Sequence, residues 1–159
     1  METGLSDSVV LVTGGAGGIG ESICRAFASE GAKVIVHYHE SSDNAGKIAN
    51  EIDGFSIKAD LRDSSQALSL IDTIVDKYGK LDICIANAGY YPPESKPIWD
   101  IDIERWKQTI SSNLDVAVNT ARGFLREASR TGSGSLVFVG STAGIYGESG
   151  HSDLSLIHI

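Results

Sequence analysis

An α/β fold is predicted for this chain, a doubly wound, Rossmann-like parallel sheet with helices on both faces. Three observations carry that prediction. Strand-like and helix-like runs alternate along most of the 159 residues. The strand-like runs, of which Val9-Val10-Leu11-Val12 is the first, are largely apolar, as strands covered on both faces are. That first run ends at Thr13-Gly14-Gly15-Ala16-Gly17-Gly18-Ile19-Gly20 and resumes as Glu21-Ser22-Ile23-Cys24-Arg25-Ala26-Phe27, which reads as strand, tight turn, helix.

Each element has its own signal. The first strand covers about 9–13, and Ile19, Ile23 and Phe27 recur every four residues in the helix that stops at Gly31, a C′ glycine. Lys33 to Tyr38 is the second strand, and Ser41-Ser42-Asp43 offers an N-cap to a helix reaching about Ile52. Phe55 to Ala59 is a short third strand. Asp63 with Gln66 forms a capping-box pattern before a helix carrying Leu68, Ile71, Ile74, Val75 and Tyr78. Asp82 to Ala86 is the fourth strand, and a Pro-containing loop from Tyr91 to Pro97 follows it. One long helix is expected from about Ile103 to Arg130, with Trp106, Ile110, Leu114, Ala117, Ala121 and Leu125 near one face. Ser135 to Gly140 is the fifth strand. The expected order is 3-2-1-4-5, which puts the glycine turn and Asn87 on one rim at the switch point between strands one and four.

Composition narrows the function. Thirteen Lys and Arg against 21 Asp and Glu give a formal net charge of -8, which argues against nucleic acid or an anionic membrane as partner. No apolar run is long enough to span a bilayer and no charged-then-apolar leader precedes Val9, so a cytoplasmic location is expected. Cys24 and Cys84 fall in apolar contexts and read as reduced core residues.

The glycine turn aims free backbone N–H groups and a helix dipole at whatever lies above it, a setting that favours phosphate. Its glycines fit G-x-G-x-x-G through Gly15, Gly17 and Gly20, T-G-x-x-x-G-x-G through Thr13, Gly14, Gly18 and Gly20, and T-G-x-x-G-x-x-G through Gly17. The acid that would hold a ribose 2′-OH is absent, because the second strand ends Val36-His37-Tyr38-His39-Glu40. No Arg is nearby to clamp a 2′-phosphate either. His39, Ser41 and Ser42 offer donors to a 2′-phosphate while Glu40 opposes one, and the balance leans to NADP over NAD. His37 and His39 are spaced like a metal pair but lack a third ligand, so no metal is expected.

At these positions the chain resembles the short-chain dehydrogenase/reductase family, to about Ser152. Thr13-Gly14 with Gly18, Ile19 and Gly20 matches the cofactor turn of such proteins. The resemblance implies further cofactor contacts from Tyr38 and His39 and from Asp60 and Leu61 after the third strand, Asp60 being set against the adenine. It also matches Asn87-Ala88-Gly89 to the family's N-A-G, although Ala86 stands where a first Asn is common. Asn113 corresponds to the helical Asn of the water relay, and Ser141 to the Ser that polarises the substrate oxygen. The implied activity is hydride transfer between a nicotinamide cofactor, NADP or NAD, and a small carbonyl or alcohol substrate. A homo-oligomer is implied for the full-length form.

One departure matters. The family's Tyr-x-x-x-Lys should follow Ser141 by about a dozen residues, yet Leu154 and His158 occupy those places, and Tyr146 is followed four residues later by Gly150. Leu154 cannot move a proton. The expected organisation is therefore an incomplete dinucleotide-binding reductase domain over 1–153, lacking its C-terminal strands, with an aberrant tail over 154–159. The tail reads unlike the start of the family's next helix and resembles adapter read-through, so a truncated, inactive reductase is expected. The alternative is a degenerate nucleotide-binding scaffold or sensor; a methyltransferase-like fold explains neither Ser141 nor Asn113.

Overall fold

All five apolar runs join one parallel sheet, in the order β3-β2-β1-β4-β5, in the computed structural model, which describes residues 3–158. The strands are β1 (Val9–Val12), β2 (Lys33–Tyr38), β3 (Phe55–Lys58), β4 (Ile83–Ala86) and β5 (Ser135–Phe138). The helices are α1 (Gly18–Ser29), α2 (Ser42–Glu51), α3 (Ser64–Tyr78), α4 (Ile103–Ile110), α5 (Val116–Thr131), α6 (Ala143–Tyr146) and α7 (Ser152–His158). Register sets Leu11 beside Ile35 on one side and beside Cys84 on the other.

The two-residue strand period makes this a three-layer molecule. Val9, Leu11 and Ile35 point to one face, where they pack with Leu70, Ile71 and Ile74 of α3 and with Val116 and Phe124 of α5. Val10, Val12, Val34 and Val36 point to the other, against Cys24 of α1 and Ala45, Ile48 and Ala49 of α2. Burial pushes both cysteine thiols up to about 12, so they behave as small apolar groups.

Helix boundaries follow local chemistry. Gly31 is left-handed at φ 84° just past α1. The Asp63 carboxylate caps α3 by accepting from the Ser65 N–H at 2.8 Å and the Gln66 N–H at 3.4 Å. Gln66 Oε1 accepts from the Asp60 N–H, so the expected reciprocal bond is made three residues upstream of the cap. Ser41 stands at the N-cap of α2 without a capping bond from its side chain.

Two expectations about the long helix are corrected. It is interrupted by a π turn at Ser111–Asp115, between α4 and α5. Its buried side runs through Thr109, Val116, Thr120, Gly123, Phe124 and Glu127, while Leu114 and Leu125 are exposed. Polar residues go inside because local partners satisfy them: Thr120 donates to the Val116 carbonyl and Glu127 pairs with Arg130. Gly123 goes inside because α3 crosses there, and a Cβ would sit 2.9 Å from Ile71 Cγ1. The segment from Ser152, unlike the family helix in sequence, is helical in α7 and buries Leu154.

Candidate functional site

The C-terminal ends of β1, β2, β3 and β4 open onto one cavity of about 630 Å³, lined by Gly14, Gly18, Ile19, Gly20, Tyr38, His39, Asp60, Leu61, Asn87, Ala88 and Gly89 among others. That volume falls within the range of about 300–1,000 Å³ usual for small-molecule sites. The structure thus gathers all eleven residues expected to contact cofactor.

Each glycine in the turn has its own reason. Gly14 is left-handed at φ 63°, and a Cβ there would lie 2.9 Å from Ala88 Cα. A Cβ on Gly20 would lie 2.2 Å from the Gly14 carbonyl oxygen, so only glycine lets α1 start this close to β1. Gly18 differs, since a Cβ there would meet nothing within 4 Å. Protein packing does not require glycine at 18; its bareness keeps the space above the helix start open. The N-cap, Gly17, has no side chain to cap α1, and the N–H groups of Gly18, Ile19 and Gly20 have no partner among the described residues. The cradle fits a pyrophosphate.

Buried Thr13 stitches the switch point together. Its Oγ1 accepts from the N–H groups of Asn87 and Ala88, both at 3.0 Å, and donates to the Ile85 carbonyl. The Asn87 amide donates to the Thr13 and Gly14 carbonyls, locking the glycine turn to the end of β4. From α2, Asn44 donates to the Ala16 carbonyl at 2.7 Å and holds the turn from the other side.

His37 and His39 do not form a pair. His37 is buried at the base of the turn, where Nδ1 accepts from the Gly14 N–H at 3.1 Å and Nε2–H donates to the Ala59 carbonyl at 3.1 Å. Both ring nitrogens are engaged, so no lone pair is free for a metal. Burial holds its pKa down at about 4, against the opposing effect of the Ala59 bond, and the ring is neutral near pH 7. His39 Nε2 instead lies 3.7 Å from the Asp60 carboxylate.

Asp60 has a partner that sequence reading did not foresee. Arg62 donates to its carboxylate through Nε at 2.8 and 3.1 Å and Nη2 at 2.7 Å, which holds Asp60 down at about 2. Arg62 also lines the cavity beside Tyr38, His39, Glu40 and Ser41. The expectation that no Arg stands near the end of β2 is therefore corrected. The loop after β3 folds back alongside β2, and the only signal was the triplet Asp60-Leu61-Arg62.

Neither Asn113 nor Ser141 is among the residues lining that cavity. In the π turn, Asn113 Oδ1 accepts from the Tyr90 N–H at 2.9 Å, and its amide donates to the Tyr90 and Thr109 carbonyls. Its side chain therefore braces the segment after β4, and a Cβ on Gly89 would stand 2.9 Å from Oδ1. Ser141 Oγ accepts from the Ala143 N–H at 3.2 Å at the start of α6. A second cavity, about 120 Å³, is lined by Asn113, Gly140, Phe138 and His158 among others. Beside it the α7 start is clamped: fully buried Asp153 accepts from Arg105 Nε at 2.9 Å and from the Thr109 hydroxyl at 2.8 Å. Arg105 also donates to the Glu94 and Gly150 carbonyls, tying the loops after β4 and β5 together.

A family model described as short chain dehydrogenase matches residues 8–153. The cis-4-hydroxycyclohexanecarboxylate dehydrogenase of Sinomonas cyclohexanicum is 29% identical over 158 residues, 98% of this chain and 63% of that protein. A 3-oxoacyl-(acyl-carrier-protein) reductase of Staphylococcus aureus is 30% identical over 148 residues, 90% of this chain and 59% of that protein. The crystal structure of a short chain dehydrogenase from Mycobacterium avium superimposes with a TM-score of 0.86 at 29% identity, covering 96% of this chain and 60% of that one. The chain thus spans about three-fifths of the length of these proteins.

Proposed function

Since the chain belongs to the short-chain dehydrogenase family over residues 8–153, we propose that its large cavity holds a nicotinamide dinucleotide, NADP in preference to NAD, for oxidoreduction of a small carbonyl or alcohol. The observation that carries this reading is the helix start of α1. Three N–H groups without a partner among the described residues face an opening that Gly18 leaves clear, where an anion would complete the hydrogen bonding. Gly14, Gly18, Ile19 and Gly20 would hold the pyrophosphate, Tyr38 and His39 the ribose end, Asp60 and Leu61 the adenine, and Asn87, Ala88 and Gly89 the nicotinamide side. When bound, the nicotinamide supplies the site for hydride transfer.

The remaining chemistry falls to the chain. Ser141 is assigned to orient and polarise the substrate oxygen, and Asn113 to position the loop carrying Tyr90. Leu154 is buried, apolar and without a proton to give at the place where the family carries Tyr. The chain is therefore read as a binder that does not turn over, with 1–153 as its dinucleotide domain and 154–159 as the divergent tail. Leu154 also supports the second reading, a nucleotide-binding scaffold or sensor. A homo-oligomer is proposed for a full-length form.

Isothermal titration with NADP and NAD, paired with a carbonyl-reduction assay, tests the proposal. Saturable binding without turnover is expected. Absence of binding to either dinucleotide overturns the cavity assignment, and turnover by the unaltered chain overturns the role given to Leu154.

A further inference from the structure

Recognition of a dinucleotide's adenosine ribose is a problem in charge at the end of β2. An acid there would hold the free hydroxyls of NAD, and a guanidinium there would hold the 2′-phosphate of NADP. β2 itself supplies neither, ending in Tyr38 and His39 with Glu40 just beyond. The tertiary structure supplies a guanidinium from another element. Arg62, on the loop between β3 and α3, lines the same cavity as Tyr38, His39, Glu40 and Ser41, and the Asp60 carboxylate it grips lies 3.7 Å from His39 Nε2.

We infer that Arg62 is the specificity-determining residue for the ribose 2′-phosphate, so that cofactor choice is set from the β3–α3 loop. The inference rests on the dinucleotide reading of the cavity. Its first support is orientation. Asp60 Oδ1 accepts from the Arg62 backbone N–H at 3.0 Å while the same carboxylate grips Nε and Nη2, so the side chain is fixed at both ends. The second support is what this grip leaves over. Nη1 has no hydrogen-bond partner among the described residues, and Nη2 spends one of its two hydrogens on Asp60. Three N–H groups in a planar fork thus remain for a phosphate, with little side-chain entropy left to lose on binding.

The surrounding charges set the size of the effect. Asp60 already faces Arg62 and is the main cause raising its pKa, and Glu40, 87% exposed, lies close enough to add the smallest of the upward effects. Two carboxylates, Asp60 and Glu40, stand against the one guanidinium of Arg62, a formal -1 for these three groups. Phosphate affinity then depends on Arg62 and is held in check by Glu40.

Titration calorimetry on the purified protein with NADP and with NAD separates these contributions, with circular dichroism melts to confirm folding. Arg62→Gln should weaken NADP by about tenfold or more, the size of one lost charge-assisted contact, and change NAD by less than about twofold. Glu40→Gln should do the opposite, tightening NADP severalfold and leaving NAD unchanged. Equal losses for both dinucleotides in Arg62→Gln, or no loss for NADP, would overturn the inference and leave Arg62 as a brace for Asp60. A wild-type protein that binds NAD but not NADP overturns it while sparing the dinucleotide reading; binding of neither overturns both.

Discussion

Acidification should weaken the fold around the glycine turn through a single buried ring, His37. The ring is neutral in the fold, accepting from the Gly14 N–H and donating to the Ala59 carbonyl. A proton on Nδ1 would set two donors against each other at the first glycine of the turn. Burial lowers the pKa from 6.5 to about 4, so between those values the unfolded chain binds a proton that the folded chain refuses. Stability from this group is intact above pH 6.5 and is lost as pH falls from there towards 4. The linkage amounts to about 2 kcal/mol between roughly pH 7 and pH 5, and about 3 kcal/mol in full. His37→Gln keeps a donor for Ala59 and does not titrate, so it serves as the reference. Urea unfolding of both proteins at the two pH values isolates the contribution, because the other histidines cancel in the comparison. Wild type should lose about 2 kcal/mol more than the variant. An equal loss in the two proteins would show that His37 is not held neutral, and the account of the turn would fail.

Three further outcomes are expected. Gly20→Ala forces a Cβ to 2.2 Å from the Gly14 oxygen, so urea unfolding should show a loss of about 1–3 kcal/mol and titration a loss of dinucleotide binding; wild-type affinity would refute the close-approach argument. Arg105→Ala leaves Asp153 enclosed without its counter-charge, and chemical denaturation should register a loss of about 3 kcal/mol or more, whereas a change near zero would mean Asp153 reaches water. β5 is an edge strand of the described sheet, with Val137 and Phe138 about half exposed next to exposed Leu114; Val137→Lys with Phe138→Lys should shift sedimentation towards monomer, and an unchanged profile would exclude this edge from self-association.

The elements that could be read from sequence are those whose cause is local. Val9 to Val12 form a two-sided strand because all four are apolar, and the glycines around Gly18 force a turn whatever surrounds them. Asp63 caps α3 through bonds spanning only two and three residues. Strand order followed from the same patterns, since right-handed parallel crossovers leave few ways to arrange five such strands. Where local and tertiary demands diverge, sequence reading went astray. Leu114 and Leu125 had the hydropathy of core residues, but the crossing of α3 at Gly123 turned the adjacent side inward.

The sequence by itself therefore determined the sheet, its helical layers and the glycine turn before α1, because each depends on periodicity or backbone freedom at neighbouring positions. Tertiary structure alone decided that His37 props the turn, that Asn113 braces Tyr90, that Arg62 meets the end of β2, and that Arg105 neutralises Asp153 from 48 residues away. Those contacts join groups distant along the chain, whose proximity follows from strand register and helix crossing. Their strength depends on burial, which no single position in a sequence specifies.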